Sequence, residues 1–101
     1  MINRRTSTRI NVNLRALLHN GDEVSKARIV NLSTGGVFLW TEYPDLRPGT
    51  DVGIDIDGEN VGHILGVSGH VIHKNKLGLA IEITQADKNL GLLIEREGRQ
   101  Q

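Results

Sequence analysis

From Ile10 to Leu18 every second residue is apolar: Ile10, Val12, Leu14, Ala16 and Leu18 face one way, and Asn11, Asn13 and Arg15 face the other. A period of two is the signature of a half-buried strand. The pattern recurs along the chain. Extended segments are expected from about Val24 to Leu32, at Val37-Phe38-Leu39-Trp40, at Val52, Ile54 and Ile56 between Asp51, Asp55 and Asp57, from Val61 to His73, and at Leu77, Leu79, Ile81 and Ile83. Turn signals separate them: Asn20-Gly21, Ser33-Thr34-Gly35-Gly36, Pro48-Gly49, Asp57-Gly58 and Lys74-Asn75-Lys76. Gly62, Gly66 and Gly69 suggest bulges or bends in the long fifth segment. Short strands joined by hairpins predict a small antiparallel barrel, a form that leaves no open sheet edge.

After Ile83 the period changes. Thr84 is the expected N-cap and Asp87 lies in the first turn, with Ala86, Leu90, Leu93 and Ile94 on one helical face. Gly91 within this helix costs about 1 kcal/mol relative to alanine. The expected organisation of residues 1–101 is a single domain: an N-terminal arm over 1–9, a barrel over 10–83 and a C-terminal helix over 84–98.

At 38% apolar and 3% aromatic residues the core must be aliphatic, with Phe38, Trp40 and Tyr43 the only aromatics. There is no cysteine, hence no disulfide and no thiolate metal site. No segment resembles a signal peptide or reaches the ~18 apolar residues of a membrane span, so a cytoplasmic location without membrane insertion is expected. The formal net charge of zero hides an asymmetry. Residues 1–28 carry Arg4, Arg5, Arg9, Arg15, Lys26 and Arg28 against Asp22 and Glu23; residues 42–59 carry six carboxylates against Arg47. A small positive focus beside an acidic region suits a compact anion better than a long polyanion.

Nothing points to catalysis, and a non-enzymatic protein is expected. His70 and His73, three apart in an expected strand, face opposite sides and cannot share a metal unless a bulge intervenes. Asp51, Asp55 and Asp57 lie on the solvent face of their strand. Ser33 has no nucleophile-elbow surroundings, and no glycine-rich loop opens a helix.

Two stretches stand out instead. "RRTSTR" at 4–9 contains Arg5-x-x-x-Arg9 in a segment that favours extended chain. Arginine's planar fork pairs with phosphate or with the O6 and N7 acceptors of guanine, and its face stacks on a base. "NLSTGG" at 31–36 places Asn31 and Ser33 beside Gly35 and Gly36, which allow close backbone approach. Alone, the first reads as solvated charge and the second as a plain turn.

Together, RxxxR followed by Asn31-x-Ser33-x-x-Gly36 resembles the PilZ domain, a bacterial receptor family for cyclic di-GMP. "GHVIHKNKLGLAIEI" resembles the late strand pair of that family, so the likeness spans about residues 3–85. It implies a mainly β fold: a six-stranded antiparallel barrel with a C-terminal helix. It implies that Arg5 and Arg9 grip phosphate and guanine, that Asn31 and Ser33 bind the other guanine, and that Gly35 and Gly36 let the ligand lie against the barrel. Asn31 replaces the commoner aspartate and forgoes a charge-assisted bond to guanine N1–H and N2–H. Arg4 implies an intercalated pair of ligand molecules per chain, and His73 occupies a position from which the family touches a base.

The resemblance implies a cyclic di-GMP receptor or adaptor, needing no further cofactor, that signals to an effector protein as its arm becomes ordered. Three alternatives stand beside it: a nucleotide-free PilZ-like adaptor, a small RNA-binding barrel and an enzyme. The scarcity of exposed aromatics and the acidic middle segment argue against a nucleic-acid polymer.

Overall fold

In the computed structural model, which describes residues 9–42, 45–58 and 63–99, the strands are β1 (Ile10–Asn20), β2 (Glu23–Leu32), β3 (Gly36–Thr41), β4 (Asp51–Gly58), β5 (His63–Asn75) and β6 (Gly78–Ala86). They close into an antiparallel barrel in the order β1-β2-β3-β6-β5-β4, followed by α1 (Leu90–Arg99). Alternation explains the interior: Ala16, Leu18, Ala27, Ile29, Leu39, Ile54, Ile56, Leu79 and Ile81 all point inward and are buried. The core is aliphatic, as the composition requires.

The turns depart from their expected places by a residue or two. In the first hairpin Asn20 pairs with Glu23, so the loop is Gly21-Asp22. Gly21 has φ 61 and Asp22 does not enter positive φ, which is the geometry of a type II′ turn. Asp57-Gly58 belongs to the strand ladder, paired with Ile64 and His63, and the connection falls on residues 59–62, outside the described residues. The last hairpin turns at Lys76-Leu77, where Asn75 Oδ1 accepts from the N–H of Leu77 and Gly78. Leu77 is therefore an exposed turn residue, not an inward strand position.

Register shifts interrupt β1 against β2 between Asn11 and Leu14, β2 against β3 between Ile29 and Asn31, and β5 against β6 at Ser68/Gly69 and Val71/His73. Gly69 sits at one of these bulges, where a Cβ would come within 2.1 Å of the Glu82 carbonyl oxygen. That close approach admits only glycine.

Strand β6 runs on to Ala86, and α1 begins later than the sequence pattern places it. Thr84 is not an N-cap; its hydroxyl donates to the Ser68 carbonyl oxygen across the sheet. Asp87 takes that role: its Oδ1 accepts from the Asn89 N–H at 2.7 Å and its carbonyl from the Leu90 N–H at 3.0 Å. Ala86 is an exposed strand residue, whereas Leu90, Leu93 and Ile94 are buried as the helical period requires. The helix joins the core cluster alongside Ile10, and Gly98 in its last turn lies against the Ile10 side chain. Ile10 is thus pinned where β1 begins, which sets where Arg9 emerges.

Candidate functional site

Arg9, the last residue of the first stretch, meets the second stretch at one end of the barrel. Asn31 stands near the end of β2, and the bulge at Val30 decides its direction. Ile29 points inward opposite Leu39; the extra residue Val30 is exposed; Asn31 then pairs with Phe38 and points outward. Arg9, one residue before β1, reaches across so that its Nε donates to Asn31 Oδ1 at 2.6 Å. Asn31 Nδ2 donates in turn to Asn11 Oδ1 at 3.2 Å. Both ends of the Asn31 carboxamide are engaged, one holding the guanidinium and the other held by β1.

Gly36 completes the seat. A Cβ on Gly36 would lie 3.5 Å from Arg9 Nη1 and 3.3 Å from the Ile81 carbonyl oxygen. The absent side chain is what lets the guanidinium lie against the barrel wall. With Nε committed to Asn31, the two terminal nitrogens keep further donors for an anion or a base edge.

Ser33 differs from its expected placement. It is buried, and its Oγ accepts from the N–H of Gly35 at 3.3 Å and of Gly36 at 3.1 Å. Its own N–H donates to the Gly36 carbonyl oxygen at 2.9 Å. The turn is also tied to β6, because the Ile83 N–H donates to the Gly35 carbonyl oxygen at 3.0 Å. The two glycine N–H groups thus face the Ser33 hydroxyl rather than outward, and Ser33 shapes the turn that holds Gly36 under Arg9.

A row of directly paired, outward positions crosses four strands from this point: Asn31 with Phe38, Phe38 with Ala80, and Ala80 with His73. His73 therefore shares the face of Asn31, three strands away, or roughly 14 Å at the usual strand spacing. The expectation that His70 and His73 face opposite sides fails. The bulge between Val71 and His73 adds one residue, so His73 opposite Ala80 and His70 opposite Glu82 both point outward. His70 Nε2 lies 3.0 Å from Glu82 Oε1, and among the described residues no group of three or more candidate ligands gathers for a metal ion. Arg4 and Arg5 lie outside the described residues.

Asn11 and Phe38 belong to this site and were not singled out by motif. Asn11 was legible only as one of the polar positions of β1, and Phe38 as an aromatic. Of the acidic strand, Asp51 is exposed, but Asp55 approaches His19 Nε2 at 2.7 Å and Asp57 approaches Arg15 at 3.4 Å, so two of the three are paired. A surface cavity of about 570 Å³ opens at the other end of the barrel, walled by Leu18, Val24 and Leu46 with Glu23 and Asp45. Its carboxylates disfavour an anion, and it contains none of the motif residues.

A family model described as PilZ domain matches residues 3–97. No curated protein matches the chain. Among solved structures, one titled "Structure of Bacillus subtilis Inhibitor of motility (MotI/DgrA)" superposes with a TM-score of 0.77 at 16% identity, covering 98% of this chain and 51% of that one. The chain spans about half the length of that neighbour, and at this identity the likeness is one of fold.

Proposed function

This chain belongs to the PilZ domain family, and we propose that it is a receptor for cyclic di-GMP whose site is built on Arg9, Asn31 and Gly36, with Arg4 and Arg5 contributed by the arm. The observation that carries this reading is the 2.6 Å bond from Arg9 Nε to Asn31 Oδ1, which joins the last residue of the first motif to the second beside Gly36. Asn31 orients the guanidinium, and the terminal nitrogens of Arg9 meet a phosphate or the guanine Hoogsteen edge. Phe38 and Ala80 supply the low surface over which a planar base lies, and His73 closes its far side. Ser33 acts through the turn it holds.

The role is reception rather than catalysis. Ordering of the arm over the barrel changes the surface offered to an effector protein. A fold neighbour named as an inhibitor of motility is in keeping with an output through a protein partner. A bacterial, cytoplasmic setting goes with this reading; among the described residues no helix is long and apolar enough to cross a membrane.

A nucleotide-free adaptor is the second reading. It is favoured by one feature: Asn31, Ser33 and the Gly35 and Gly36 N–H groups already have partners within the chain. Calorimetric titration with cyclic di-GMP, with GTP and cyclic di-AMP as controls, separates the two. Saturable binding of cyclic di-GMP alone supports the receptor; no heat at high micromolar ligand leaves the adaptor.

A further inference from the structure

Beside the Arg9–Asn31 site lies a second outward surface that the nucleotide reading does not use. Arg15, Arg28 and Trp40 form its central row: Arg15 pairs with Arg28 across β1 and β2, and Arg28 with Trp40 across β2 and β3. Trp40 is 50% exposed. Val30, turned out by its bulge, is also exposed, at 39%.

The centre of this face carries an excess of positive charge. Arg28 Nη1 donates to the neutral carboxamide of Asn13 at 2.7 Å, which positions the guanidinium without cancelling its charge. Lys26 is exposed one outward step further along β2. Arg15 is neutralised in part by Asp57. Glu42, just past β3, and Asp57 on β4 are carboxylates at its edges. The surface is part of a sheet, and the 570 Å³ cavity is lined by other residues, so the face offers breadth rather than a pocket for a small molecule. Tryptophan and arginine are the residues that most often dominate protein interfaces, and a cationic rim steers an anionic partner.

We propose that the face centred on Arg28 and Trp40 docks an acidic segment of a partner protein whose apolar side chains alternate with carboxylates. The apolar side chains cover Trp40 and Val30, and the carboxylates meet Arg28 and Lys26. The proposal does not depend on nucleotide binding: a failed cyclic di-GMP titration would leave it standing, and the test below contains no nucleotide.

Trp40 is the single tryptophan of the chain, so its emission reads this face directly. The probes are synthetic 12-residue peptides of alternating Glu and Leu, the same design with Lys for Glu, and a 12-nucleotide oligouridylate. The Glu–Leu peptide is expected to shift Trp40 emission to the blue in a saturable way. Arg28→Glu should weaken it at least tenfold, Arg28→Ala less, and Glu42→Gln should tighten it, with circular dichroism unchanged in each variant. Several results would overturn the proposal: no shift with the Glu–Leu peptide, an equal shift with the Lys–Leu peptide, or equal binding of oligouridylate. So would light scattering showing that the free protein dimerises with Trp40 already buried, which would make a second copy the occupant.

Discussion

Arg9 Nε and Asn31 Oδ1, 22 residues apart in the chain, are 2.6 Å apart in space. The first precedes β1 and the second stands one residue before the end of β2, so the antiparallel pairing of these strands is what brings them together. Ile10 opposite Leu32 and Asn11 opposite Asn31 set the register, and Arg9 is the next residue out. The guanidinium is held by one bond along its edge and by the missing side chain of Gly36 beneath it. Its position therefore depends on three separate strands, and each offers a test.

Arg9→Ala is expected to weaken cyclic di-GMP binding by about 1–3 kcal/mol, the range for a bidentate contact to guanine, or roughly ten- to a hundredfold in Kd. Arg9 is exposed and precedes the first strand, so thermal stability should change by no more than ~0.5 kcal/mol. Calorimetry with a parallel melt checks both, and undiminished affinity in a folded variant removes Arg9 from the site.

Asn31→Asp is expected to tighten binding. A carboxylate pairs with the Arg9 guanidinium and with guanine N–H donors more strongly than a carboxamide, by about 1 kcal/mol per bond, or roughly fivefold in Kd. The same titration decides this, and an affinity below that of the parent would show that the Asn31 Nδ2 bond to Asn11 matters more than charge.

Gly36→Ala tests the seat. Its Cβ would stand 3.3 Å from a backbone oxygen and 3.5 Å from Arg9 Nη1, so the guanidinium must give way. We expect a stability loss of about 1 kcal/mol, as for mild overpacking, and a severalfold loss of cyclic di-GMP affinity. Parent-like affinity would mean that the ligand does not need Arg9 in this position.

Two ligand molecules are expected per chain. An intercalated pair brings four negative charges, which two arginines neutralise poorly in a partly desolvated site. Arg4 adds a third guanidinium, and Arg4→Ala should move the stoichiometry toward one. Titration at protein concentrations well above Kd reads the equivalence point; a sharp break at one ligand in the parent rules out the pair.

Gly91→Ala should stabilise the protein by about 0.5–1 kcal/mol, a rise of a few degrees in Tm. Gly91 is exposed within α1, and nothing lies within 4 Å of where its Cβ would be. A lower Tm would indicate that α1 owes more to its packing at Ile10 than to helical propensity.

The sequence by itself determined the strands, the closed antiparallel architecture, the aliphatic core and the two polar stretches from which the candidate site is drawn. Those properties follow from local periodicity and from turn residues, which act over a few positions. Hydrophobic period two marked the inward face of β1, β4 and, apart from Leu77, β6, and Leu90, Leu93 and Ile94 marked the buried side of α1.

Tertiary structure decided what depends on pairing between strands. The bulges at Val30 and Ile72 each insert one residue, and one residue in a strand reverses every side chain beyond it. That is why Asn31 faces Arg9 and why His70 and His73 share a face. Trp40 stands in solvent opposite Arg28 because pairing turns Val37, Leu39 and Thr41 of β3 inward. The start of α1 was settled in the same way: Thr84 could have capped a helix, but Ser68 on the neighbouring strand engaged its hydroxyl and kept β6 extended as far as Ala86. A capping preference is worth about 1 kcal/mol, and continued ladder pairing along β5 outweighs it.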